Sequence, residues 1–414
     1  MRKLERFSIG TGDRFGMEGA AQIAAFEKAK AAGVSASIVW NKSNREHKLI
    51  GTEPADQRAA ADRAVAATGW KGSYFVDADH IGLATVDRFA QHCDFFTIDV
   101  ADFIGEAAPA AMVDAFVAKR GNLVAAPGLP AALDAASLRA AAGRYLKAVA
   151  EAAKVYRRIA ELRGAGTFAV EVSMDETADP QSPAELAVIL AALADEDVPV
   201  ATIAPKFSGR FNKGVDYVGN VADFMKEFEA DVKVALWAPE ALGLPAGLKL
   251  SVHSGSDKFS LYPGIGEIVR RLGAGLHLKT AGTTWLEEIV GLAEAGGAGL
   301  AMAKEIYRAA YGRYDELVAP YAPVVDIDRA KLPGPDAVEA WDSAAFVGAV
   351  RHVQSDRRFD KNVRQLMHVS FKVAGEIGTR YLDAIRSHRE SVSRNVTQNL
   401  WERHLKPLFV GSDR

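Results

Sequence analysis

Residues 73–100 read SYFVDADHIGLATVDRFAQHCDFFTIDV. The segment opens and closes on short apolar runs, 73–77 and 95–100, with little polar alternation. Strands of that kind are buried on both faces, as in a parallel sheet. Between them, 84–92 reads as helix, so the unit is strand–helix–strand. The same unit recurs on both sides. Short runs at 7–10, 36–40, 168–174, 200–203, 248–252 and 276–279 alternate with helical stretches at 17–32, 55–68, 131–163, 182–196, 220–231, 263–272 and 284–296. Eight strands, each followed by helix, predict an α/β fold of the (β/α)8 barrel type over residues 1–300, in preference to an open doubly wound sheet. The oversized connection between the fourth and fifth strands predicts a helical insertion at about 106–163. After residue 300 strand signals fade. Stretches 301–316 and 337–389 read as helices around a proline-rich segment, which predicts a helical C-terminal extension, 301–414, packed on the barrel.

Composition sets bounds on function. Hydrophobic residues make up 49% of the 414, enough for a sizeable core, which excludes a disordered or fibrous chain. Fifty basic against 53 acidic residues leave a net charge of −3, without the basic excess that nucleic-acid binding needs. A single cysteine, Cys93, excludes an internal disulfide and a multi-thiolate zinc site. No stretch approaches the roughly 18 apolar residues of a membrane span. The basic residues at 1–6 have no apolar run behind them, so they do not read as a secretory signal. The expectation is a cytoplasmic protein with a small-molecule partner, no nucleic-acid or membrane partner, and room for a homo-oligomer.

In such a barrel, functional side chains collect at the C-terminal ends of the strands. Ionisable residues stand at nearly every one: Asp13 and Arg14; Asp79 and His80; Asp99; Glu171, then Asp175 and Glu176; Lys206, Arg210 and Lys213; His253, Asp257 and Lys258; His277 and Lys279. Charge in or beside an apolar strand is costly unless paired or liganded, so this concentration marks a site. Three imidazoles, His80, His253 and His277, suit Zn2+, Fe2+ or Mn2+. The third strand lies far round the barrel from the seventh and eighth, so these ligands must meet near its axis, with Glu171 as a candidate fourth. Asp79 adjoins His80 and, in an extended segment, points the opposite way. It reads either as a base towards substrate or as a partner that orients a ligating histidine. Glu171 is either functional or paired with Lys206 or Lys279. Asp13 and Arg14 either pair with each other or face substrate. Lys206, Arg210, Lys213, Lys258 and Lys279 suit an anionic substrate. The glycine spacing at 10–16 is one residue too long for a dinucleotide fingerprint, and no acidic residue ends the second strand.

Six segments carry a more specific signal: 7–16 (FSIGTGDRFG), 77–80 (DADH), 171–176 (EVSMDE), 209–217 (GRFNKGVDY), 251–260 (SVHSGSDKFS) and 277–283 (HLKTAGT). Together with 367–372 (MHVSFK), they resemble the tagaturonate/fructuronate epimerase family over about residues 7–385. The resemblance implies an isomerase of hexuronate catabolism that interconverts D-tagaturonate and D-fructuronate and depends on a divalent cation (Zn, Mn, Fe or Ni). It implies Asp79 as proton acceptor, Glu171 or Glu176 as donor, and His80, His253 and His277 as metal ligands. Substrate contacts are expected from Asp13, Arg14, Lys206, Arg210, Lys213, Ser254, Asp257, Lys258 and Lys279. The two sugar acids differ at C4, whose C–H the C2 ketone does not activate; enolisation would invert C3 instead. Retro-aldol cleavage of C3–C4 and re-addition to the other face is therefore the expected route, with the cation as Lewis acid. The competing expectations are a metal-dependent aldose–ketose isomerase, a phosphosugar lyase or aldolase in which Lys279 forms a Schiff base, and a non-catalytic sugar-acid-binding protein. His368 and Lys372, spaced i, i+4 on a helix, either reach the barrel mouth or simply pack.

Overall fold

The structure, a computed structural model, describes residues 3–411; residues 1–2 and the last three of the expected extension lie outside it. Eight parallel strands close into a barrel in chain order. They are β1 (Phe7–Gly12), β2 (Ala36–Ser43), β3 (Tyr74–Ile81), β4 (Phe95–Asp99), β5 (Ala169–Ser173), β6 (Thr202–Ala204), β7 (Lys249–His253) and β8 (Leu276–Thr280). This is the (β/α)8 architecture that the strand–helix alternation predicts. Ile9, Val76, Ile98, Val172, Leu250 and Leu278 are all buried, as strands covered on both faces must be.

One strand departs from regular geometry, and the departure matters. The pairing of β3 with β4 shifts register between Ala78 and Ile81, and His80 takes φ 50° within the shift. A bulge re-aims the side chains that follow it. Asp79 and His80 therefore do not face opposite ways, as an unbroken strand predicts. Both stand at the barrel mouth, with His80 Nε2 3.8 Å from Asp79 Oδ1.

Between β4 and β5 the chain forms helix Ala110–Arg120 and the long helix Ala135–Arg163. The latter packs on β4 and on helix Pro183–Asp195. The helical stretch 337–389 is a string of short helices. Asp342 and Asp360 cap new starts at Ser343–Val350 and Lys361–Val369, and Gly378, at φ 63°, separates Phe371–Ile377 from Thr379–Ser387. These helices share an apolar core with helix Thr283–Ala295, where Trp285 packs against Tyr381 with ring centroids 5.8 Å apart. The last segment, Asn399–Val410, returns to the N-terminal end of the barrel, where Phe409 stacks on Phe7 at 4.4 Å. No helix among the described residues is long and apolar enough to cross a membrane.

The extension is fastened to the barrel through Asp257, just beyond β7. Its fully buried carboxylate accepts from Arg364 Nη2 at 2.7 Å and from Thr283 Oγ1 at 2.8 Å, with His352 Nδ1 at 3.3 Å and His404 Nε2 at 3.5 Å. The substrate contact expected of Asp257 is thus corrected to a structural one, because its oxygens are spent on three separate parts of the extension and on Thr283. Ser254 and Lys258 are corrected for the same reason. Both are fully buried; the Ser254 hydroxyl donates to the Lys279 carbonyl at 2.9 Å, and Lys258 Nζ donates to the Ser256 and Asp257 carbonyls at 3.3 and 3.2 Å. Removing one partner of a buried ion pair strands the other charge, so Arg364→Met is expected to lower the unfolding free energy by about 3–5 kcal/mol. Urea melts measure this; a loss below about 1 kcal/mol, the range of an exposed pair, would show that Asp257 does not depend on Arg364.

Candidate active site and metal centre

Side chains alternate along β8, so His277 and Lys279 both point into the barrel, with Lys279 about 7 Å nearer the mouth along the strand. Lys279 Nζ lies 3.0 Å from Asp77 Oδ2, 2.8 Å from Asp79 Oδ1 and 3.2 Å from Glu171 Oε1, and it also donates to Thr97 Oγ1. One ammonium from β8 thereby ties together β3, β4 and β5 across the barrel. The Thr97 and Thr202 hydroxyls donate to Glu171 at 3.2 and 2.7 Å. Both Glu171 oxygens are therefore occupied, and the pairing with Lys279 is one of the two partners the sequence allowed.

The imidazoles stand beside this cluster. His253 places Nε2 2.7 Å from Glu171 Oε1 and Nδ1 2.9 Å from Asp175 Oδ1. His80 Nδ1 is 3.0 Å from Asp99 Oδ2. The two rings meet edge to face, centroids 5.2 Å apart, although their strands lie across the barrel from each other. One ligand atom each from His80, His253 and Asp175 falls within 4.8 Å of the others, and so does a second set, His80, Asp99 and Glu176. His277 belongs to neither set. Its Nδ1 lies 2.8 Å from Ser8 Oγ, and its buried Nε2, without a partner, sits under Gly10. The structure thus gathers two of the three expected histidines and puts Asp175 where His277 was expected. Depth explains the exchange: His277 sits one inward-facing position below Lys279.

Carboxylates outnumber the lysine ammonium at this site. Asp77, Asp79 and Glu171 crowd a single ammonium, and Asp175 lies against His253. Burial opposes charging the rings, but at His80 the Asp79, Asp99 and Asp175 carboxylates outweigh it, and at His253 Asp175 and Glu171 do, raising them to about 10 and about 9. Burial also opposes the charge on Asp79, yet Lys279 and His80 hold its carboxyl down at about 2. Burial pushes Asp77 up to about 7 despite Lys279. Burial, joined by the Lys279, Lys249 and His253 charges and opposed only by Glu171, drives His277 down to about 3, so that ring is neutral. Two imidazolium protons carry the same charge as one divalent cation, and two imidazole nitrogens with a carboxylate oxygen make a donor set that Zn2+, Mn2+ or Fe2+ accepts. The residues present therefore fit the expected ion.

A profile of the tagaturonate epimerase family matches residues 1–126 and 121–406. The chain belongs to that family. Its members make it an enzyme of the isomerase class. A tagaturonate/fructuronate epimerase from Thermotoga maritima is 28% identical over 409 residues, 95% of this chain and 77% of the relative. Two crystal structures of a fructuronate–tagaturonate epimerase from Cohnella laeviribosi superpose with TM-scores of 0.77 for the native form and 0.75 for a glycerol complex. They are 23% and 22% identical to this chain and in both cases cover 97% of it and 81% of the other chain, so they share its fold.

In this epimerase-family chain the remaining expected contacts divide. Asp13 caps its own loop, accepting from the Met17 and Glu18 backbone at 3.0 and 2.9 Å. Arg14 pairs with Glu46 at 2.9 Å instead of Asp13, and its guanidinium lies 4.1 Å over the Phe371 ring. No ion pair joins Lys206 or Arg210 to the cluster among the described residues; Arg210 is exposed and bridges Val218 through its backbone. Lys213 lies beside Gly255 at the end of β7. Lys372 turns outwards to Glu316 at 2.5 Å. Exposed Glu176 lines a groove of about 530 Å3 with Ile104, Arg144 and Asp179, next to the His80–Asp99 pair. Sequence reasoning noted Asp77, Asp99 and Asp175 without giving them roles; their signal was their place at strand ends beside residues already singled out.

The Asp77 carboxyl yields a pH prediction. Its folded value, about 7, exceeds its ordinary one, so the stability it contributes is complete below about pH 4 and is lost as pH rises through 7. Asp77→Asn is expected to gain on the wild type in Tm between pH 5 and 8. An equal offset at both pH values would show that Asp77 does not titrate between pH 5 and 8.

Proposed function

We propose that this chain interconverts D-tagaturonate and D-fructuronate by breaking and remaking the C3–C4 bond, with a divalent cation held by His80, His253 and Asp175. The observation that carries the reading is the convergence of two imidazoles and a carboxylate beside the Asp79–Lys279 pair, in a member of the tagaturonate epimerase family. When bound, the cation supplies Lewis-acid stabilisation of charge developing at the C2 carbonyl of the substrate. Asp79, fixed by Lys279, is ionised at neutral pH and accepts the C4 hydroxyl proton. The O–H electron pair becomes the C4 carbonyl bond, and the C3–C4 pair passes into an enediolate across C2 and C3. After the C4 aldehyde turns, C3 adds to its other face, and the C4 oxygen takes a proton from a second acid. Glu176 is the candidate for that acid, because both Glu171 oxygens already accept from His253, Lys279 and two threonines. Glu171 then serves to orient His253.

Under this route the hydrogen on C4 never leaves its carbon. In D2O, NMR of epimerised product is expected to show protium retained at C4; obligatory deuterium there would support direct proton transfer instead. Asp79→Asn is expected to lower kcat by roughly 10²–10⁴-fold, the usual contribution of a general base. A variant within about threefold of wild type, far short of that contribution, would move the base elsewhere.

A further inference from the structure

His368 is used by nothing described so far. It lies on helix Lys361–Val369 of the extension, is 2% exposed, and has no partner for either ring nitrogen. A buried polar ring without partners is rare in a native fold and calls for an explanation. Its position supplies one. A Cβ on Gly282 would stand 2.1 Å from His368 Nε2, so the ring tip presses on the backbone at the end of β8, where only glycine leaves room. Gly282 donates to the Gly255 carbonyl at 2.9 Å, and a Cβ on Gly255 would stand 3.2 Å from Lys213 Nζ. The imidazole and the ammonium thus end at the same pair of hydrogen-bonded glycines, at the mouth of β7 and β8. Helix Thr283–Ala295 starts at Gly282 without a side-chain cap, so its positive end faces the same place. Arg14, over Phe371 three residues on from His368, keeps a buried Nη1 without a partner. No ion pair engages Lys213 among the described residues.

We propose that His368, Lys213 and Arg14 form the subsite that grips the carboxylate of the sugar acid, so that the extension supplies part of substrate recognition. This rests on the epimerase reading above. The loops after the seventh and eighth strands commonly bind anions in barrels of this type. The ring is poised for such a ligand: burial, then the Arg14 and Lys213 charges, holds the imidazole well below its ordinary value, a surplus of positive charge that a bound carboxylate would offset. A carboxylate held here also keeps the carboxyl-bearing fragment from escaping while C3–C4 is broken.

The test compares two ligands that differ only at C6, D-fructuronate and D-fructose, in equilibrium binding to the metal-loaded full chain. Lys213→Met and His368→Asn are each expected to weaken D-fructuronate roughly ten- to hundredfold, the value of a hydrogen bond to a charged group, and to leave D-fructose within about twofold. Lys213→Arg, which keeps the charge, is expected to restore most of the loss. Equal weakening of both ligands, or of neither, would overturn the subsite. Lys213 is only half-buried, so its variants test the proposal even if His368→Asn fails to fold. Epimerisation during the measurement leaves the C6 carboxylate in place, so the comparison reads the subsite either way: a wild type that binds D-fructuronate but does not epimerise it would refute the proposed function, and the two-ligand comparison would still decide the subsite.

Discussion

The ammonium of Lys279, buried among Asp77, Asp79 and Glu171, is the interaction on which the site is built. In the low-dielectric interior of a barrel, three carboxylates cannot stay close without a counter-ion. Lys279 supplies it from β8 and so draws β3 and β5 to a common point. That choice has a consequence. One positive charge is too few for the carboxylates gathered, and the deficit falls on His80 and His253, which hold on to protons well above the ordinary range. Two imidazoles kept charged beside these carboxylates put the electrostatics and the candidate chemistry in the same few residues.

A second buried charge pair, Asp257 with Arg364, does a different task. It locks the C-terminal extension over the ends of β7 and β8, and so brings Phe371 over Arg14 and His368 against Gly282. The extension is thus part of the mouth of the barrel as well as a cover for its helices. Loops after the strands carry specificity in such barrels; here a distant stretch of chain lies against those loops.

The barrel was legible because strands covered on both faces leave a continuous apolar signature, and 73–100 alone contains a full strand–helix–strand unit. The site was legible in identity more than in geometry. Asp79, His80 and His253 stand where strand-end reasoning puts them, yet the opposite facing of Asp79 and His80 was undone by a bulge that no local residue pattern announces. His277 and Asp175 exchanged places because depth along a strand cannot be read until its register is known. Asp257, Ser254 and Lys258 were read as substrate contacts because a polar residue at a strand end looks the same whether it meets a ligand or another part of the chain. The extension reads as helical from its sequence, but its breaks do not, for a similar reason: Asp342 and Asp360 are caps only where a helix starts after them.

The central claim is that one divalent cation sits between His80, His253 and Asp175. Equilibrium dialysis with Zn2+ or Mn2+ tests it directly in the wild type and in His253→Ala, Asp175→Ala and His277→Ala. The account predicts one ion per chain in the wild type, retained in His277→Ala and lost in the other two. Retention in Asp175→Ala together with loss in His277→Ala would contradict it.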